Sequence, residues 1–147
     1  MADYKIPSLT VDIFIYDDDF NFILIQRKNE PFKGCWALPG GFVEYGESVE
    51  TAAVREAKEE TSIDVELKEL VNVYSSPDRD PRGHTVTVVF TAKGDLNTKK
   101  ADSDAADIDV FSQDQLETVN LAFDHDKIIK DSLNKAKKME ENNGILS

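Results

Sequence analysis

Glu56, Glu59 and Glu60 are the residues of this chain best placed to do chemistry together. On an α-helix of ~3.6 residues per turn they fall within roughly 100° of arc and about one turn of rise. Three like charges so close repel one another and cost helix stability, a cost that a cation among them would offset. A hard divalent ion suits the set, because Mg2+ takes oxygen ligands in octahedral geometry and often combines a few carboxylates with water and substrate phosphate. Arg55 reaches either Glu59 one turn on or Glu47 at the helix entrance, and from there can orient a carboxylate. The plainer alternative is a solvated acidic helix face, which is what most charge runs are.

The helix that must carry these groups has clear signals. Ser48 is a good N-cap and Glu50 suits the positive end of the helix dipole. Val49, Ala53 and Ala57 repeat at helical spacing and form the stripe expected to face a core. Just upstream, Pro39-Gly40-Gly41 lets backbone approach the carboxylates closely, since glycine tolerates unusual dihedrals.

The spacing carries more than the charges do. Gly41, five residues, Glu47, seven residues, then Arg55-Glu56-Ala57-Lys58-Glu59-Glu60-Thr61-Ser62-Ile63 resembles the Nudix box, G-x5-E-x7-R-E-U-x-E-E-x-G-U, where U is bulky and apolar. Two positions depart from it. Ser62 stands at the last glycine, where a left-handed C-cap is eased by glycine, and Ala57 is a small occupant of the first apolar position. The first departure puts the helix exit in question and leaves the carboxylates untouched. The resemblance implies an α/β Nudix α/β/α sandwich, a mixed sheet between the box helix and a C-terminal helix. It also implies Mg2+, with Mn2+ as a substitute, on Glu56, Glu59, Glu60 and the Gly40 carbonyl, with Glu47 and Arg55 behind them.

A second constellation, SSPDRDPRGH at residues 75–84, brings Arg79 and Arg82 into an acidic protein on a loop stiffened by two prolines. Guanidinium groups suit bidentate recognition of phosphate oxygens, although a turn with incidental salt bridges would read the same. With Tyr74 before it, the tract has the form YS-x-P-x-R-D-P-R-G-H and is similar to the ADP-ribose pyrophosphatase branch of Nudix proteins, as are Pro7-x-x-Thr10-Val11-Asp12 and Ala122-Phe123-Asp124-His125. That likeness implies hydrolysis of ADP-ribose to AMP and ribose 5-phosphate, with Arg79 and Arg82 on the substrate, Arg27 a weaker candidate, and His84 either a substrate donor or structural. It further implies a general base from the acidic stretch Asp102 to Asp109, Asp104 ahead of Asp107. An aromatic residue is expected on adenine, with Phe14, Phe32 and Tyr74 not separable by sequence. The alternatives are a Nudix hydrolase of another nucleoside diphosphate or triphosphate derivative, and a non-catalytic sensor of ADP-ribose or related metabolites. Proteins of this kind are often homodimers.

The rest of the chain reads as scaffold. Residues 9–16 and 22–26 form a hairpin across an Asp-rich turn, 65–74 and 84–92 are strands, and 107–111 is a short one. Residues 29–40 and 93–106 are expected to be loops, with Trp36 a core anchor and Asp12 a hydrogen-bonded structural group. Ser112 to Gln115 has the form of a capping box. Phe123 is expected to staple against Ile128 at the start of a last helix running to about residue 140, with Asp124 its N-cap, His125 solvated or capping, and the tail frayed.

The 147 residues are expected to make a single domain, 1–147, able to bury a core without staples. The net charge of −12 argues against a general nucleic-acid or anionic-membrane surface, since such binding rests on phosphate neutralisation. A small phosphorylated substrate fits if metals and a few arginines supply the positive charge. One cysteine, Cys35, excludes an internal disulfide, and with no apolar leader or membrane-length run the expected location is the cytoplasm.

Overall fold

The computed structural model describes residues 5–102 and 104–146. Its centre is β1 (Ser8–Tyr16), whose alternating side chains feed two cores. Val11, Ile13 and Ile15 face α1 (Val49–Thr61) through Ala52, Ala53 and Ala57. Phe14 and Tyr16 face α2 (His125–Leu146) through Ile128, Ile129, Leu133 and Ala136. One helix on each face of a sheet is the expected α/β/α sandwich.

The sheet is mixed. β1 runs parallel to β6 (Thr85–Lys93) along its whole length, from Ser8 opposite Thr85 to Tyr16 opposite Lys93. β5 (Glu66–Tyr74) lies antiparallel on the outer side of β6, with register shifts around residues 67–72 where Lys68 and Glu69 break the alternation. On its other side β1 meets β2 (Phe22–Arg27) only at Tyr16 opposite Phe22. Beyond that point the two strands fork. β4 (Gly40–Phe42) takes over the edge of β1 at Thr10, Val11 and Asp12, whereas β2 pairs with β3 (Trp36–Ala37) and β7 (Ala105–Phe111).

Four expectations needed correcting. Residues 29–40 are not all loop, because β3 and β4 are recruited to the two arms of the fork. The second loop is shorter than expected: a 3-10 turn, Leu96–Thr98, buries Leu96, and β7 starts at Ala105. The last helix does not stop near residue 140 but continues to Leu146. Its first turn is also built differently: the Asp124 carboxylate is given to Arg79, and Phe123 takes a left-handed φ of 54° with its ring against Phe32.

The exit of α1 is resolved at the departure from the box. Ser62 adopts the left-handed conformation itself, φ 65° and ψ 8°, and its N–H donates to the Lys58 carbonyl at 2.9 Å. Thr61 closes the turn, donating its hydroxyl to the Ala57 carbonyl at 2.6 Å and accepting from Ile63 N–H at 3.2 Å. Ser48 caps the other end by accepting from Thr51 N–H at 3.1 Å. Among the described residues no helix is long and apolar enough to cross a membrane.

Candidate active site

The fork between β1 and β2 opens into a cavity of about 600 Å3. Thr10 and Asp12 line it from β1, and Ile25, Gln26 and Arg27 from β2. The Glu-rich face of α1 makes one wall, and the loop between β5 and β6 brings Arg79, Asp80 and Arg82 to another. One cavity therefore has an acidic wall and a wall bearing guanidinium groups.

Arg55 organises the acidic wall. Its Nε and Nη2 donate to Glu47 Oε2 at 2.7 Å and Oε1 at 2.8 Å, and Nη2 also reaches the Phe42 carbonyl at 3.1 Å. Nη1 donates to Glu56 Oε1 at 2.8 Å and Glu59 Oε2 at 3.1 Å. The hydrogen bonds from Arg55 and from Glu44 N–H hold the Glu47 carboxyl down at about 2. Arg55 thus reaches both Glu47 and Glu59, where the sequence left the choice between them open.

Glu56 and Glu60 lie deeper. Burial pushes the Glu60 carboxyl up to about 9, against the Gly40 N–H that it accepts at 3.3 Å, and the charges of Glu56, Asp12 and Asp102 push the same way. Burial also raises Glu56, outweighing Arg55 beside it. The charge of Glu59 adds to the rise at Glu56, and that of Glu56 to the rise at Glu60. Among the described residues no three acidic, histidine or cysteine side chains already surround one point as an ion's ligands. The donors are nonetheless those of a hard cation: carboxylate oxygens, no sulfur, and crowded negative charge. The backbone leaves room for them, since a Cβ on Gly41 would fall 2.5 Å from the Glu56 carboxylate. The residues present fit a divalent ion.

The three arginines that line the cavity outside α1 differ. Arg79 is nearly withdrawn from solvent, its side chain 6% exposed, and is committed to Asp124 through Nε at 2.9 Å and Nη2 at 2.7 Å. Arg82 is held in the same two-pronged way by Asp80, at 3.1 and 2.8 Å. Burial works against the Asp80 charge, but those bonds outweigh it and keep the carboxyl low. Arg27 donates Nε to the Pro31 carbonyl at 2.7 Å. Burial and then the charge of Arg82 lower its pKa. Asp104 is exposed on the cavity rim, within the lining set that includes Glu60. His84 is not brought there: its Nε2 meets the Ser75 carbonyl at 3.0 Å, and it lines an adjoining hollow.

Several residues at the site escaped the sequence reading. His125 is 4% exposed rather than solvated, because its Nδ1 accepts from Leu38 N–H at 3.0 Å. That bond leaves its proton on Nε2, 4.0 Å from Asp12 Oδ2, and this oxygen accepts its hydrogen bond from Thr87 Oγ1 at 2.6 Å. Asp12 is thus the hydrogen-bonded group expected, yet it lines the cavity. Nothing local marks His125 as buried, since its donor lies 87 residues away. Of the aromatic candidates for adenine, Phe14 and Tyr74 are core residues, and Tyr74 gives its hydroxyl to Asp131 at 2.7 Å. Phe32 is exposed.

With this geometry in place, comparison with known proteins is decisive for the family. The NUDIX domain model matches residues 7–132, and the chain belongs to that family. It is a Nudix hydrolase, with a relative from Methanocaldococcus jannaschii, an ADP-ribose pyrophosphatase, 53% identical over 87% of this chain and 74% of that protein. An ADPR responsive transcriptional repressor of Acinetobacter baylyi is 35% identical, and the chain spans 54% of its length. Among solved structures, the NUDIX domain of Shewanella oneidensis NrtR complexed with ADP ribose superposes with a TM-score of 0.79, at 31% identity and 90% of both chains. A bifunctional NMN adenylyltransferase/ADP ribose pyrophosphatase of Francisella tularensis, complexed with AMP and a manganese ion, gives 0.81 at 30% identity over 91% of this chain and 43% of that one.

Proposed function

We propose that this chain hydrolyses the diphosphate of ADP-ribose, giving AMP and ribose 5-phosphate. The observation that carries the reading is the pairing, in one cavity, of a carboxylate wall with a guanidinium wall. Such a site takes a molecule that is anionic on one side and metal-bridged on the other. The substrate named for the 53% identical relative supplies the choice of ADP-ribose.

Glu56, Glu59 and Glu60, with the Gly40 carbonyl, would hold magnesium, or manganese in its place. When bound, the ion supplies charge neutralisation at the diphosphate and a water of lowered pKa. Glu47 and Arg55 keep Glu56 and Glu59 aimed. Asp104, on the rim, takes the proton of the attacking water. A P–O bond to that water forms as the bridging P–O bond breaks, and the departing phosphate leaves with the electron pair. Arg27, Arg79 and Arg82 serve the substrate side, Arg27 and Arg82 by facing it and Arg79 by holding Asp124 and the loop. His84, turned to the Ser75 carbonyl, is assigned to shaping the loop rather than to the substrate.

Product analysis over ADP-ribose, NADH, UDP-glucose and dGTP with magnesium tests the reading. Equal yields of AMP and ribose 5-phosphate, with ADP-ribose consumed fastest, support it. Faster turnover of another compound would reassign the substrate within the family. The likeness to the repressor's domain favours a second reading, in which ADP-ribose binds without being cleaved. Tight ADP-ribose binding with no turnover would establish that one.

A further inference from the structure

Phe123 has two guanidinium groups over its ring. The Arg27 Cζ lies 4.9 Å from its ring centroid and the Arg82 Cζ 5.5 Å, both inside the ~6 Å over which a cation is drawn to a ring face. The ring is itself braced: Phe32 meets it edge-on with centroids 4.8 Å apart, and the His125 ring lies 5.6 Å away. Its backbone is held at a φ of 54°, a left-handed conformation that costs a bulky residue energy and persists only where surrounding contacts enforce it. Phe32 shares that conformation at φ 61°. Two strained aromatic residues thus meet at the cavity wall, and one of them lines the cavity.

The arrangement answers an electrostatic difficulty. Arg27 and Arg82 repel each other, and their repulsion adds to the burial that disfavours the Arg27 charge. Arg82 and Arg79 each have a carboxylate gripped with two bonds. Among the described residues Arg27 forms no such ion pair; its Nε is spent on the Pro31 carbonyl, and the ring of Phe123 is the partner of its planar face. Among the described residues, the terminal nitrogens of this guanidinium make no salt bridge that an incoming anion would first have to break.

We propose that Phe123 is a positioning residue that seats Arg27 as the guanidinium which meets the substrate's phosphate, with Arg82 held by Asp80 over the same ring. The proposal rests on the reading of the cavity as a site for a nucleoside diphosphate derivative. It reverses the order of importance that the loop motif implies, because the two arginines of the loop are already neutralised.

Steady-state kinetics test it, run on whichever of ADP-ribose, NADH, UDP-glucose and dGTP turns over fastest, so that an error in the choice of ADP-ribose does not touch the result. Phe123→Leu should raise KM about tenfold while kcat falls by no more than about threefold, the pattern of lost substrate binding. Phe123→Tyr, which keeps the ring, should stay within about twofold of the parent. Arg27→Gln should raise KM at least as much as Phe123→Leu. The double variant should be no worse than Arg27→Gln alone, because the ring acts through the guanidinium. Phe123→Met carries the same test if the leucine variant fails to fold. An unchanged KM in the leucine or methionine variant, losses that multiply in the double variant, or equal damage from tyrosine would overturn the proposal. A chain that turns over none of the four compounds overturns both this and the reading beneath it.

Discussion

Arg55 grips Glu47 with two bonds and, through its remaining terminal nitrogen, Glu56 and Glu59 together, so one guanidinium ties the loop before α1 to two carboxylates on the helix. The ring of contacts fixes where Glu56 can point. Groups that orient metal-binding carboxylates commonly change affinity or activity by about 10–100-fold when removed. Glu47→Gln should therefore lower kcat/KM with magnesium by about that factor and weaken manganese binding in a titration, without loss of helix content by circular dichroism.

Two adjacent glycines separate the site from the scaffold. A Cβ on Gly41 would meet the carboxylate of Glu56 at 2.5 Å, the movable end of a side chain. A Cβ on Gly40 would meet the Val11 carbonyl oxygen at 2.1 Å, which is backbone of the central strand. Gly41→Ala is expected to keep the fold and lose at least about tenfold in activity by displacing Glu56. Gly40→Ala should lower the melting temperature sharply, because the clash can be relieved only by moving β4 off β1. Thermal melts of the two variants side by side check the contrast.

The proton on Glu60 has a stability consequence with a definite sign. Its carboxyl titrates near 4.5 when unperturbed and at about 9 in the fold. The folded chain therefore holds a proton that the unfolded chain releases, and the metal-free protein loses stability as pH rises from about 4.5 through 9. Glu60→Gln, neutral throughout and still able to accept from Gly40 N–H, should be more stable than the parent at pH 8 by about 1–3 kcal/mol, roughly 3–10 °C in Tm. The gap should close toward pH 5. Melting curves in a chelator across that range give the answer, and a gap that widens toward acid would contradict it.

His125 sets the opposite slope. Burial lowers its pKa from 6.5, with Asp12 and Asp124 only partly compensating. The unfolded histidine thus takes up a proton before the folded one does, and stability is lost as pH falls below 6.5. His125→Asn, which offers an oxygen to Leu38 N–H and does not titrate, should flatten the acid limb. His125→Phe leaves that buried N–H without an acceptor and should cost about 1–3 kcal/mol at pH 7.5 in urea unfolding.

What was legible in the chain follows from the range of the interactions involved. The box helix could be read because its cap, its apolar stripe and its carboxylates are all set within a few residues of one another, and Ser48, Ala53 and Glu47 stand where expected. The strands of the hairpin and of the β5–β6 pair were equally local. Short β3 and β4 could not be read, since they are strands only because β1 and β2 part and leave edges to be filled. The same holds for Asp124 and Arg79, 45 residues apart, and for Thr87 and Asp12, 75 apart. The loop motif pointed to its arginines but could not show that a carboxylate already occupies each of them, while Arg27, in an unremarkable strand, has none among the described residues.

Hydrolysis of ADP-ribose by the parent chain and by Glu60→Gln at saturating magnesium, followed by phosphorus NMR, bears on the central claim most directly. The parent should convert the diphosphate signal into two phosphomonoester signals of equal area, AMP and ribose 5-phosphate. The variant, as well folded as the parent, should be slower by at least about 1000-fold, the scale on which loss of a group stabilising the transition state is felt. Near-equal rates in the two proteins would remove Glu60 from the chemistry and, with it, the metal site assigned to this helix.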